Sequence, residues 1–245
     1  MKLAVFDLDH TLLPLDSGDL WPRWVAKYAG VDPAPILAEA DRLNADYHRG
    51  EFDPEALTGF HLKLLARFQR IYLDAWLDAF IDEVIRPAVK PEALALVDER
   101  RRAGWTLLLA TGTHSFVSAP VAALFGITNL VAALFGITNL VAARPEEDEK
   151  GEFTGRLDGP HSYGAGKLKL VRDFIRIRET LCGDKVEAVE AYSDSMNDLP
   201  LLDFAAGYGA GSRAVAVNAS PALSDLARQR GWATIELFPK EGAHV

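Results

Sequence analysis

A chain of 245 residues, 49% hydrophobic and 25% charged, holds ample apolar material for one large domain or for a core with a smaller accessory domain. A formal charge of −9, with lysines and arginines scattered, leaves no basic stripe of the kind a nucleic-acid binder carries. The single cysteine (Cys182) has no intramolecular partner, the opening apolar run is too short for a signal peptide, and none approaches the ~20 residues of a membrane span; a cytoplasmic protein without a membrane anchor is expected.

In chain order, Leu3 to Asp7 reads as a buried strand, and the stretch from Leu15 to Arg86 reads as an inserted helical block. In that block Trp21, Trp24 and Val25, then Tyr72, Trp76, Phe80 and Val84, recur at helical spacing. A helix over Pro91 to Ala103 leads to a strand at Trp105 to Thr111. Residues 121–130, VAALFGITNL, then repeat unchanged as residues 131–140. Two copies do not make a solenoid, and a single copy suffices to leave a helix and enter the next strand. Gly126 and Gly136 each cost a continuous helix about 1 kcal/mol, so one copy is expected to be looped or displaced, exposing Leu124, Phe125 and Ile127 or their counterparts.

A hairpin is expected at Glu146 to Leu157, with the acidic tip Glu146-Glu147-Asp148-Glu149 as a solvated turn. Beyond it come a helix at Lys167 to Leu181, strands at Val186 to Tyr192 and Ala214 to Asn218, and a helix at Pro221 to Gly231. This alternation predicts an α/β fold: a mostly parallel sheet with helices on both faces, and a ligand beyond the carboxyl ends of the strands. Asp7, Thr111 and Asp194 all fall at or just past such ends.

In an extended segment alternate side chains point the same way, so Asp7 and Asp9 of Asp7-Leu8-Asp9-His10-Thr11 can face one site. Two close carboxylates repel unless a cation lies between them or one is protonated. That suits phosphoryl transfer, with Asp7 as nucleophile and Asp9 as proton donor and acceptor. The Thr111 hydroxyl and the free N–H at Gly112 are candidate phosphate donors. Lys167, at a helix start after Gly164-Ala165-Gly166, is a candidate for neutralising charge on phosphorus. Asp194 and Asp198 bring carboxylates of the kind magnesium prefers.

With these four motifs in order along nearly the whole chain, the sequence resembles the haloacid dehalogenase superfamily. The resemblance implies Asp7 as nucleophile, Asp9 as acid/base, Thr111 as phosphate ligand and Lys167 as charge stabiliser. It also implies Mg2+ held by Asp194, the Asp7 carboxylate and the Asp9 backbone carbonyl, with Asn197 and Asp198 as orienting residues. The implied fold is a Rossmann-like core, residues 1–14 and 87–245, with a helical C1-type cap at residues 15–86. The interval between Lys167 and Asp194 is too short for a second cap.

The run from Ser193 to Leu202 and the Gly231-Trp232 ending resemble the phosphoserine-phosphatase-like branch. That branch carries a glutamate where Asp16 stands here, and Asp16 could pair with a substrate amine. It also carries a cap arginine for the substrate carboxylate, and Phe52 to Leu65 contains no arginine. Histidinol-phosphate phosphatases share the overall pattern, and their substrate has an amine but no carboxylate. The expected substrate is therefore a small phosphorylated metabolite of the amino-alcohol type. A phosphomutase or phosphotransferase would use the same residues, and a compromised binding protein is the reading the duplication raises.

Blander roles stand beside these. Thr11 can hold its loop through the backbone, and Asp198 can cap a helix. His10 can be a solvent-facing loop residue or a substrate contact, and His114 a substrate contact. Trp21, Trp24 and Trp76 suit a cap core better than an aromatic cage.

Overall fold

The computed structural model describes residues 1–49, 51–127 and 139–238. Its centre is a six-stranded sheet in the order β3-β2-β1-β6-β7-β8, parallel throughout. The strands are β1 (Lys2–Phe6), β2 (Trp105–Ala110), β3 (Leu140–Val141), β6 (Ala188–Ser193), β7 (Arg213–Val217) and β8 (Ala233–Ile235). Leu3 to Phe6 are all fully buried, as the near-continuous apolar run predicts for a strand covered on both faces. Alternation still sorts them: Ala4 and Phe6 enter one core, Leu3 and Val5 the other.

The first core is closed by α6 (Pro91–Arg102) and α7 (Ser115–Leu124), and it runs on into the helical insertion between β1 and β2. That insertion comprises α1 (Ser17–Tyr28), α2 (Ala34–Arg49), α3 (Pro54–Ala66) and α4 (Arg70–Phe80). A π turn, Ile81–Ile85, carries α4 into the short α5 (Arg86–Ala88). Among its described residues the insertion contains no strand. Trp21 is fully buried, edge-on to Phe80 at 5.5 Å and to Phe116 of α7 at 5.8 Å; Trp24 donates to the Trp76 carbonyl at 3.0 Å. The tryptophans are packing, not a cage. The second core is closed by α8 (Ala165–Cys182), α9 (Leu199–Gly207) and α10 (Pro221–Arg230).

The hairpin forms from β4 (Pro145–Glu147) and β5 (Phe153–Leu157), and it is tied to the insertion. Arg70 donates its backbone N–H to Glu152 at 2.7 Å and pairs with Glu147 at 2.9 Å. At the acidic tip Asp148 accepts the N–H groups of Lys150 and Glu152, the bonding of a turn.

The two repeat copies divide their work. Val121 to Leu124 of the first copy finish α7, and Gly126, at φ +62°, ends it in the left-handed conformation glycine supplies. Asn139 and Leu140 of the second copy lead into β3, where Leu109 N–H donates to the Asn139 carbonyl at 3.0 Å. In the first copy Phe125 and Ile127 are buried in the first core beneath the turn after α7, and Leu124 is half-buried, so any exposed copy is the second. The counterparts Leu134, Phe135 and Ile137 lie outside the described residues.

Candidate active site

Parallel strands bring three chain segments to one edge of the sheet. Asp7 follows β1 directly and still donates its N–H to the Tyr192 carbonyl of β6 at 2.9 Å, so its position is fixed by the sheet. Past it the chain coils tightly, and the Leu8 carbonyl accepts from Thr11, Leu12 and Leu13. That coil separates the two carboxylates. Asp7 faces the start of α8, and Asp9 faces the start of α1.

On the Asp7 side, the Lys167 ammonium donates to Asp7 Oδ1 and to Asp198 Oδ2, each at 2.8 Å. Ser193 Oγ donates to Asp198 Oδ2 at 2.8 Å. The Thr11 hydroxyl lies 3.2 Å from Asp7 Oδ2 and 3.3 Å from Asp194 Oδ1, spanning the two carboxylates rather than binding backbone. Asp198 stands at the N-cap of α9, but its side chain makes no cap bond. The helix-cap role is not the one it plays; Lys167 and Ser193 hold it instead.

On the other side, Ser17 N–H and Ser17 Oγ reach Asp9 Oδ1 at 2.7 and 2.6 Å, and Thr113 Oγ1 donates to Asp9 Oδ2 at 2.7 Å. Asp16 caps α1, accepting the Asp19 N–H at 2.8 Å, and lines the same cavity. Thr111 is fully buried, its hydroxyl accepting the Thr113 N–H at 3.1 Å, and it is Gly112 and Thr113 that line the cavity. Gly112 is required here by contact: a Cβ would lie 2.3 Å from Tyr163 Cε1. Asn197 donates to Tyr47 of α2 at 2.8 Å, and Tyr163 meets Phe52 edge-on at 5.0 Å, so the insertion closes over the strand ends. The resulting cavity, about 440 Å³, is lined by Asp7, Asp9, Asp16, Lys167, Asp194 and Asn197 among others, a size suited to a small metabolite. His10, exposed at φ +58°, lies at its rim, whereas His114 is buried and does not line it.

A model of the haloacid dehalogenase-like hydrolases matches residues 4–203. The chain belongs to that family. It is 35% identical to a histidinol-phosphatase of Neisseria meningitidis, over 94% of this chain and 96% of that one. A crystal structure of a protein with unknown function from Bordetella pertussis matches with 39% identity and a TM-score of 0.83, over 97% of this chain and 99% of that one. A phosphoserine phosphatase carrying a phospho-aspartyl intermediate analogue shares the fold at 17% identity and a TM-score of 0.60, over 96% of this chain and 92% of that one. The protein is a phosphomonoesterase of the haloacid dehalogenase type.

The electrostatics of this hydrolase are those of crowded buried acids. Burial, then the nearby Asp198, raises Asp7 to about 7 against the opposing pull of Lys167. Burial, then Asp7 and Asp198, raises Asp194 to about 8. Burial would lower Lys167, but Asp198 and Asp7 outweigh it and hold the ammonium charged. Burial and the neighbouring Asp16 raise Asp9 to about 6, although the bonds from Ser17 and Thr113 favour its ionised form. Asp7 and Asp194 converge with oxygen donors only, the set a hard divalent cation prefers, and their mutual repulsion is what such a cation would relieve. Among the described residues no three acidic, histidine or cysteine side chains are gathered as a metal cluster.

Ser17, Thr113, Ser193, Tyr47 and Tyr163 enter the site without having been singled out in the sequence. Thr113, two positions after Thr111, had the only local signal: a second hydroxyl in the Thr111-Gly112-Thr113 turn.

Proposed function

We propose that this phosphatase hydrolyses an amino-alcohol phosphate, of which histidinol phosphate is the leading candidate, through an aspartyl phosphate on Asp7. The observation that carries the substrate reading is charge. Lys167 is the one lysine or arginine among the described residues lining the cavity, and it is held between Asp7 and Asp198. A substrate carboxylate would find no cation, whereas an ammonium would find Asp16, whose bonds come from backbone N–H groups at the start of α1. The similarity to the meningococcal histidinol-phosphatase supports the same reading.

In the mechanism, an Asp7 carboxylate oxygen attacks phosphorus as the ester P–O bond breaks, and the departing alkoxide takes the proton of the Asp9 carboxyl. The Asp9 carboxylate then takes a proton from water, whose oxygen attacks the phosphoryl group; phosphate leaves and Asp7 is restored. An acid near 6 can serve both steps at neutral pH. Lys167 orients Asp7 and faces the charge that builds on the phosphoryl oxygens. Gly112 N–H and the Thr111 turn are assigned to the phosphate, with Asn197, Thr11 and Asp198 orienting. Magnesium, held by Asp7, Asp194 and the Asp9 carbonyl, would supply positive charge to the transferring phosphoryl group.

Residues 15–86 act in this reading as the cap, with 1–14 and 87–245 as the catalytic core; α2 and α3 supply Leu43, Tyr47, Leu57 and Phe60 to the cavity wall. The exposed lone thiol of Cys182 fits a reducing cytoplasm.

Phosphate release from a panel of esters, with and without magnesium, tests the reading. Turnover that needs magnesium and prefers histidinol phosphate over phosphoserine supports it. A preference for phosphoserine sinks the substrate assignment, and transfer to an added alcohol in place of water would favour the phosphotransferase reading.

A further inference from the structure

A small annex adjoins the main cavity between α3 and the loop after β2. It shares His61, Gly112, Thr113 and Tyr163 with that cavity and adds Thr58 and His114, which the main cavity does not touch. Its free space, about 10 Å³ for the centre of a water-sized group, admits a single small polar group.

Four of the polar atoms on residues around it are unpaired. Thr58 Oγ1, His61 Nδ1 and both ring nitrogens of His114 have no hydrogen-bond partner among the described residues. Their residues are only 8%, 8% and 4% exposed. Buried polar atoms are nearly always bonded, so four orphans around one space point to a hydrogen-bonding group that belongs there. The two imidazoles meet edge to face, centroids 5.4 Å apart and planes at 64°. Burial lowers His61 to about 4 and holds His114 well below its ordinary value, so both rings are neutral, each offering one donor and one acceptor.

His61 is the member of this group that reaches the main cavity. On the α3 wall it stands with Leu57 and Phe60, an apolar surface carrying one uncharged polar side chain. With phosphate at Asp7 and ammonium at Asp16, this wall is left for the remainder of the substrate. We propose that His61 contacts an uncharged hydrogen-bonding tail of the substrate, such as a heteroaromatic ring, with His114 and Thr58 as positioning residues that hold its ring across the annex. The inference rests on the amino-alcohol phosphate reading and extends it to the far end of the molecule.

The test compares wild type, His61→Phe, His61→Gln and His114→Phe on histidinol phosphate and on ethanolamine phosphate, which keeps the phosphate and amine but lacks the ring. His61→Phe is expected to raise KM for histidinol phosphate at least ~10-fold, with kcat within about 3-fold and ethanolamine phosphate turnover unaltered. His61→Gln should recover most of the loss, and His114→Phe should raise KM in the same direction by less. Equal losses on both esters, or none on either, from variants with wild-type melting temperatures would overturn the proposal and leave the annex a purely structural feature. Should His61→Phe not fold, the smaller His61→Leu carries the same comparison. Failure of wild type to turn over either ester would count against the amino-alcohol reading alone. The variants would then be compared on the polar-tailed ester that wild type hydrolyses best and on its truncated analogue, and an unchanged ratio there would refute the tail contact.

Discussion

Lys167 Nζ lies 2.8 Å from Asp7 Oδ1 although 160 positions separate the two residues in the chain. The contact depends on β1 and α8 meeting at one sheet edge, and Asp198 completes it from the far side. Two acids therefore depend on one buried cation.

Replacing Lys167 with methionine keeps most of the volume and removes the charge. Breaking a buried pair from one side costs roughly 3–5 kcal/mol, because the remaining charge stays buried without compensation. Lys167→Met should therefore lower stability by about that amount and activity by at least ~100-fold. Denaturant unfolding and steady-state kinetics measure the two; a stable variant with near-normal kcat would contradict the assigned role.

Thr113 donates to Asp9 Oδ2, a bond that favours the ionised acid. Thr113→Val removes the donor with little change of shape, so the Asp9 pKa should rise above its value of about 6. Formation of the aspartyl phosphate needs Asp9 protonated. The alkaline limb of kcat/KM against pH should accordingly move to higher pH, together with a loss of about 10-fold or more in rate. A limb that moves to lower pH would place Asp9 outside the proton transfer.

The metal-free protein should lose stability as pH rises. The folded values of Asp7, about 7, and Asp194, about 8, lie above the ordinary 3.8. The stabilisation these groups contribute is complete below that ordinary value and is lost as pH climbs through 7 and 8. Melting curves in chelator from about pH 5.5 to about pH 8.5 should show a falling melting temperature, and added magnesium should restore more at the upper end. A profile that rises with pH, or a magnesium effect confined to acid, contradicts the pairing of these acids at one cation site.

Deleting residues 131–140 should raise the melting temperature and leave activity intact. The first copy already supplies the end of α7 with Phe125 and Ile127 in the core, and one Asn-Leu pair is enough to enter β3. A fall in stability would mean that the second copy contributes packing of its own.

The strand ends were readable because chemistry and pattern coincide there. Apolar runs stop at Asp7, Thr111 and Asp194, and a parallel sheet collects such ends on one edge. The helical insertion was readable from Trp21, Trp24, Trp76 and Phe80 at helical spacing. What could not be read is what only three-dimensional convergence creates. Ser17 and Thr113 meet at Asp9 from different segments, and beyond the second hydroxyl of the Thr111-Gly112-Thr113 turn no local pattern announces it. Tyr163 is placed by the missing Cβ of Gly112, a fact about space and not about spacing. β3 and β8, with two and three residues, are too short to show a period. Which of the two repeat copies packs in the core was not readable either, because both have the same sequence; it is the first that places Phe125 and Ile127 there.

On this mechanism Asp7 carries the phosphoryl group between the ester and water. Acid quenching during turnover of a radiolabelled phosphate ester, followed by peptide mapping, tests it directly. Wild type should carry a hydroxylamine-labile label on Asp7, and Asp7→Asn should show neither label nor turnover. A label on another residue, or full turnover by Asp7→Asn, would contradict the mechanism.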